Sequence, residues 1–211
     1  LTGLYWAWKN SNANYIGVAH YRRHFSLKRL RTKEKFESIL NEEQLTSLLK
    51  NYDVILPKKR KYYIETLYSH YKHTHYGIHL DLTREIINDI YPEYINTYDE
   101  VVNKSSGYMF NMFIMERTLV DKYCKWLFEI LFELEKRYND IEISGFQGRF
   151  YGRVSEIIFN VWIQYQIKNG IISDKKIREI DCIHMEKINW AKKGTAFIKA
   201  KFMNKKYEAS F

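Results

Sequence analysis

Proline and glycine are scarce in this sequence, at 2 and 9 among 211 residues. No Gly/Ser linker interrupts it and no segment recurs at a fixed period, which excludes a tandem repeat and a flexible junction between domains. Cysteine is equally rare. Cys124 and Cys182 sit in apolar surroundings without metal-type spacing, and they read as reduced core thiols of a cytoplasmic protein. No run approaches the ~20 uninterrupted apolar residues of a membrane span, and no charged, apolar, small-residue series marks a signal peptide. The expectation is a cytoplasmic protein, soluble or peripheral on the inner face of the cell membrane.

What is present is apolar and aromatic bulk together with positive charge. With 45% hydrophobic and 17% aromatic residues, residues 1–211 are enough for one compact domain with a full core. The formal charge of +9 favours an anionic partner: a nucleotide sugar, a lipid pyrophosphate, an acidic leaflet or nucleic acid. The chain opens at Leu1 inside a helical pattern already under way, so an upstream portion is expected.

Leu4, Tyr5 and Trp8 repeat at helical spacing. Tyr15 to Ala19 is a short apolar run, consistent with a buried strand that would place His20 to His24 just past its carboxyl end. Residues 32–50 read as one or two helices, with Asn41 and Gln44 placed as an N-cap and its N3 partner. Tyr52 to Leu56, stopped by Pro57, is a second strand, and the basic, aromatic run Lys58 to Tyr63 is a loop. Helical patterns follow from Thr66 to Ile90, broken near Gly77, and from Pro92 to Val102. Tyr108 to Met115 reads as a central strand. From Thr118 to Arg137, Asp121, Lys125, Glu129 and Glu133 form a narrow wet stripe on a largely buried helix. A turn-rich stretch from Ser144 to Gly152, a helix from about Arg153 to Lys168 and a strand over Ile177 to Ile183 complete the pattern. The alternation predicts an α/β layered domain with a mainly parallel central sheet flanked by helices.

At the carboxyl end of a strand in such a sheet, the adjacent guanidiniums of Arg22 and Arg23 are suited to bidentate phosphate recognition, and the alternative is a surface turn paired with acidic neighbours. Tyr5-Trp6-Ala7-Trp8-Lys9-Asn10, followed by Tyr15-Ile16-Gly17-Val18-Ala19-His20-Tyr21-Arg22-Arg23, resembles the signature of a bacterial capsular and exopolysaccharide glycosyltransferase family long catalogued as a domain of unknown function. Phe110-Asn111-Met112-Phe113-Ile114-Met115, with Tyr123-Cys124 and Trp126-Leu127-Phe128, resembles its second signature. Arg149-Phe150-Tyr151-Gly152-Arg153-Val154-Ser155-Glu156, with Asn160 and Trp162, resembles a third. The resemblance runs from about residue 1 to 165, leaving 166–211 as a carboxyl-terminal extension.

The resemblance implies a GT-A-like fold and a hexosyltransferase-type enzyme using a nucleotide-sugar donor, a UDP-sugar above all. The acceptor it implies is a growing lipid-linked oligosaccharide of capsular polysaccharide or exopolysaccharide biosynthesis. It also implies a segment preceding the Tyr5-Trp6-Ala7-Trp8 motif that supplies the first strand of the fold. Where that fold normally carries an Asp-x-Asp metal motif, this sequence has His20-Tyr21-Arg22-Arg23. Arginines can neutralise the leaving diphosphate directly, so no cofactor is expected to be required, with a divalent cation such as Mn or Mg as the alternative. The diphosphate-binding set is Lys9, His20, Arg22, Arg23, Arg149 and Arg153.

Inverting glycosyl transfer needs a carboxylate to take the acceptor proton. Glu156 is the candidate, on a polar stripe with Asn160 and Gln164, and its competing reading is a first-turn Glu that favours the helix N-terminus. His70, His73, His75 and His79, followed by Asp81, match no metal spacing, and no single helix face holds them all. His70, His73 and Asp81, with Asn10, Tyr21 and Asn111, are expected on the substrate side, where His70 and His73 join Tyr68 and Tyr71 along a sugar cleft. Asn111 inside an apolar run either bonds substrate or locks neighbouring backbone. The basic surface is expected to touch an anionic membrane. A nucleic-acid module, motivated by the Lys58 to Tyr63 run, is disfavoured by scattered basic residues and the absence of any recognition motif. A non-catalytic partner subunit of a polysaccharide assembly is the remaining alternative.

Overall fold

The computed structural model describes residues 1–27, 35–138 and 149–186. Residues 32–34 of the second helical reading, most of the turn-rich stretch before Gly152, and the extension beyond 186 lie outside the described residues. In chain order the helices are α1 (Thr2–Asn10), α2 (Glu42–Leu49), α3 (Leu67–Thr74), α4 (Ile78–Ile90), α5 (Ile95–Val102), α6 (Arg117–Tyr138) and α7 (Phe150–Lys168). The strands are β1 (Tyr15–Val18), β2 (Arg23–Ser26), β3 (Val54–Pro57), β4 (Arg60–Lys61), β5 (Ser106–Gly107), β6 (Phe113–Glu116) and β7 (Ile177–His184).

Local chemistry sets several of these boundaries. The Asn41 side chain accepts from the Gln44 N–H at 2.9 Å and the Gln44 side chain accepts from the Asn41 N–H at 3.3 Å, so α2 starts with the capping box read from sequence. Thr66 and Ser69 form the same reciprocal pair at the start of α3. The helical pattern breaks at His75–Gly77 before α4, as the interruption near Gly77 predicted.

The α/β class expected from sequence is the one observed, but its strand directions differ. Five strands form one sheet in the order β1-β6-β3-β7-β2. Only β3 and β7 run parallel; β1 with β6, β6 with β3 and β7 with β2 are antiparallel. A buried apolar run reads alike in either direction, so the sequence pattern does not distinguish a mainly parallel sheet from this mixed one. β1 is an edge strand in which Ile16 alone is buried, not a strand buried throughout.

The sheet is curled. Four strand steps of about 4.8 Å would put β1 and β2 about 19 Å apart in a flat sheet. Yet the chain passes between them through a tight turn closed by the Arg23 N–H donating to His20 O at 2.8 Å. Such a turn holds its ends within about 7 Å, so the two edges must approach each other.

The two faces of the sheet bury different partners. Val54, Leu56, Phe113 and Met115 point into the main core with α4, α5, α6 and α7. Ile55 and Ile114, alternating with them, join Phe25, Met112 and Ile180 in a smaller core under α2, against Leu45, Leu48 and Leu49. Val54, Ile55 and Leu56 are wholly buried, each contributing roughly 1.5–3 kcal/mol. The wet stripe of α6 is observed as read, with Lys125 and Glu129 exposed and Asp121 and Glu133 half-buried.

Candidate functional site

The carboxyl ends of β1, β3 and β7 lie at the same edge of the sheet as the starts of β2 and β6, since Val18 pairs with Phe113, Arg23 with His184 and Pro57 with Ile180. Glu156 projects here from α7. That helix begins at Phe150 and has no acid in its first turn, so Glu156 sits in the second turn and is not a dipole-stabilising terminal residue. Burial pushes its carboxyl up to about 7, even though a hydrogen bond from the Phe110 backbone N–H and the charges of Arg23, Arg60 and Arg153 pull it down. Over the whole residue, Glu156 keeps partial exposure. A carboxyl that titrates near neutrality exchanges protons readily under physiological conditions.

The backbone facing Glu156 is unusual. Tyr108 to Met112 is not strand: Phe110 and Asn111 adopt positive φ of 81° and 50°, and β6 starts only at Phe113. Two successive non-glycine residues in this region are costly, by of order 1–3 kcal/mol each. Asn111 holds the turn, donating to Gly152 O at 2.8 Å and accepting from Ser155 Oγ at 2.9 Å. These bonds tie neighbouring backbone together, one of the two roles expected for Asn111. Asn160, one turn beyond Glu156, brackets Tyr108, accepting from its N–H at 2.6 Å and donating to its C=O at 2.9 Å. Gly107 permits that approach, because a Cβ there would lie 3.0 Å from Asn160 Oδ1 and 3.1 Å from Leu67 Cδ1. The stripe read on α7 thus splits: Glu156 faces the site, Asn160 braces the backbone, and Gln164 accepts from Lys104 Nζ at 3.2 Å.

The charges of arginines from three elements act on Glu156: Arg23 on β2, Arg60 on β4 and Arg153 on α7. The Arg23 guanidinium lies 4.0 Å above the Phe110 ring and Arg60 lies 4.8 Å above the Tyr62 ring. Burial lowers Arg23 and Arg153 from the ordinary arginine value without discharging them. Against one carboxyl that is only partly ionised at pH 7, the local charge is positive, and planar guanidiniums match phosphate oxygens in pairs. Arg22, next to Arg23, turns elsewhere. It makes an ion pair with Glu186 at 3.2 Å and lies 4.9 Å from the Tyr21 ring.

Beside Arg60, the buried Glu65 carboxylate accepts from His70 Nδ1 at 2.8 Å and His73 Nδ1 at 2.6 Å. Burial opposes its charge, but the two imidazoles more than offset that and hold it below the usual glutamate range. Burial lowers His70, which packs 4.2 Å from Tyr62. His79 is wholly buried between the Tyr71 and Tyr138 hydroxyls, each at 3.0 Å. It is a core histidine. Among the described residues no group of three or more His, Cys, Asp or Glu is arranged to hold a metal ion.

The family profile described as Domain of unknown function (DUF4422) matches residues 1–168, which include every residue placed around Glu156. The chain belongs to the DUF4422 family. Among solved structures, this DUF4422 chain is similar to the apo form of the WbbM bifunctional glycosyltransferase, at 29% identity and a TM-score of 0.74. The similarity covers 88% of this chain but only 36% of that protein. None of the curated proteins matches significantly.

Several other residues expected at the site of this DUF4422 domain contact other partners. Lys9 Nζ sits 3.7 Å over the Trp8 ring and Asn10 donates to Trp6 O at 2.9 Å, both within α1, which packs on α6. His20 accepts from the Arg22 N–H at 3.1 Å and stacks on Tyr21, itself largely exposed. Asp81 accepts from the Tyr68 hydroxyl at 2.8 Å. Arg149 is exposed at the start of α7. Arg60 and Glu65 were not singled out from sequence. Arg60 lies in a basic run that reads as surface, and only the β4–β5 pairing carries it inward. Glu65 had a usable signal, an acid five and eight residues before His70 and His73. Both cysteines are free thiols that burial raises, to about 12 for Cys124 and about 11 for Cys182, so neither is a poised thiolate. No described helix is long and apolar enough to cross a membrane.

Proposed function

We propose that this chain carries the donor-binding and proton-accepting centre of a glycosyltransferase that moves a sugar from a nucleotide-sugar donor, a UDP-sugar above all, to a lipid-linked capsular or exopolysaccharide acceptor. The observation that carries the reading is Glu156, whose carboxyl is raised to about 7 among the charges of Arg23, Arg60 and Arg153, in a chain similar to a glycosyltransferase structure. The guanidiniums hold the donor diphosphate and neutralise the charge that grows on it as the glycosidic bond breaks. Glu156, as carboxylate, accepts the proton of the attacking acceptor hydroxyl, a role worth roughly 10²- to 10⁴-fold in rate. Phe110 and Asn111 fix both partners, because the Phe110 N–H points at Glu156 and its ring lies under Arg23.

In this reading Arg23, Arg60 and Arg153 form the diphosphate clamp, and Arg22 and Arg149 act at its rim. A divalent cation is not required for that neutralisation. His70, oriented by Glu65 beside Arg60, lies on the substrate side. The test is Glu156→Gln, assayed for sugar transfer and, separately, for nucleotide-sugar binding by calorimetry. Transfer should be lost while binding persists; wild-type turnover in the variant would remove Glu156 as the base.

A further inference from the structure

The segment between β4 and α3 is firmly anchored, yet it presents two large apolar side chains to solvent. Tyr63 is 83% and Ile64 69% exposed. Tyr62, just before them, packs against the main core and against His70. Glu65, just after, is buried and held by His70 and His73. The base of the tip is closed by the Tyr62 N–H donating to Ser105 O and the Leu67 N–H to Lys104 O, both at 2.8 Å. At its apex Ile64 N–H donates to Tyr62 O at 2.7 Å across Tyr63, whose φ is 59°. That is a γ-turn of the rare, strained hand. Folding gains nothing from exposing these two side chains, and the strained turn carries a cost.

Lys58, Lys59, Arg60 and Lys61 lead into the tip, with no acid between residues 58 and 64. Lys58, Lys59 and Lys61 are all exposed; Lys58 pairs with Asp181 at 2.8 Å and Lys59 Nζ lies 4.8 Å from the Tyr108 ring, while the charge of Arg60 acts on Glu156.

We infer that the Tyr63–Ile64 tip with Lys59 and Lys61 docks this domain on an anionic lipid bilayer. Two side chains are far too few for a stable protein interface, which buries about 1,200–2,000 Å². They are enough for a bilayer, where a tyrosine sits well at the headgroup level, an aliphatic side chain enters the acyl boundary, and nearby lysines meet acidic headgroups. The inference rests on the glycosyltransferase reading for its purpose: Arg60 is only three residues from Tyr63, so docking would bring the Glu156 centre to the surface where a lipid-linked acceptor resides.

The test is vesicle flotation of the full chain with phosphatidylcholine alone and with phosphatidylglycerol added. The wild type should float with the anionic vesicles only, and less so at high salt. Tyr63→Ser with Ile64→Ser should weaken that binding by about tenfold or more. Lys61→Ala should weaken it by about fivefold, the loss expected for one lysine near an acidic surface. Both variants change exposed side chains, and unchanged thermal unfolding checks that they fold. Flotation by the Tyr63/Ile64 variant equal to that of the wild type, equal wild-type flotation on neutral vesicles, or no flotation at all would each overturn the inference. Nucleotide-sugar binding without vesicles is measured in parallel on the same proteins. Its absence from wild-type protein that still floats would count against the transferase reading alone.

Discussion

The raised carboxyl of Glu156 has a thermodynamic signature that needs no substrate. Its folded value of about 7 stands against an ordinary 4.5, and burial is the main cause. Between those values the folded protein holds a proton that the unfolded chain has released. Stability therefore falls as pH rises from about 4.5 to about 7, then levels off once both states are ionised. The gap corresponds to about 3 kcal/mol as an upper figure. Glu156→Gln keeps the shape, carries no charge, and escapes this penalty. Urea unfolding of both proteins from pH 4 to pH 9 measures it. At pH 4 the two should be nearly equal in stability; above pH 7 the variant should be the more stable by up to about 3 kcal/mol, seen as a higher midpoint at an unchanged slope. A difference that stays constant across the pH range, or a variant less stable at pH 8, would refute the assignment of a buried carboxyl held near neutrality by desolvation.

Three further outcomes follow from the same geometry. Arg23→Ala should weaken nucleotide-sugar binding by about 1.5–3 kcal/mol, the range for a charged hydrogen bond, while Arg22→Ala, whose partner is Glu186, should change it by much less; calorimetry separates the two. Asn111→Ala should cost about 1–3 kcal/mol in urea unfolding, because it loses the bonds to Gly152 and Ser155 at a positive φ, whereas Asn111→Gly keeps the backbone accessible and should cost less. Asn160→Leu leaves the N–H and C=O of Tyr108 without their partner and should destabilise by about 2–4 kcal/mol by the same measurement; a loss below about 0.5 kcal/mol would show that the bracket is not needed.

Much of this fold was legible because its signals are local. The capping box at Asn41 and Gln44, the break before α4 and the wet stripe of α6 each depend on residues close to one another in sequence. What was not legible depends on distant partners. The apolar run Tyr108 to Met115 reads as strand throughout, since hydrophobicity reports burial and not the sign of φ; Phe110 and Asn111 turn left-handed because α7 supplies Gly152 and Ser155 as partners. Likewise Arg22 and Arg23 look like one clamp in the sequence. In the structure β2 pairs with β7 from Arg23 onward and the two neighbouring side chains diverge, one to Glu186 and one to the Phe110 ring. Glu156 was legible from its place on α7, but its place relative to Arg60 was not, because that proximity is made by the β4–β5 pairing and the fold of the sheet edge.

The proposed function requires the arginines around Glu156 to bind a nucleoside diphosphate sugar. The direct measurement is a calorimetric titration of a nucleotide-sugar panel, with and without manganese, into the wild type and into a variant carrying Arg23→Ala and Arg60→Ala. Saturable binding of at least one donor by the wild type, lost or weakened by more than about tenfold in the variant, is the predicted result. Equal binding by the two proteins, or no donor bound by the wild type under either condition, would contradict it.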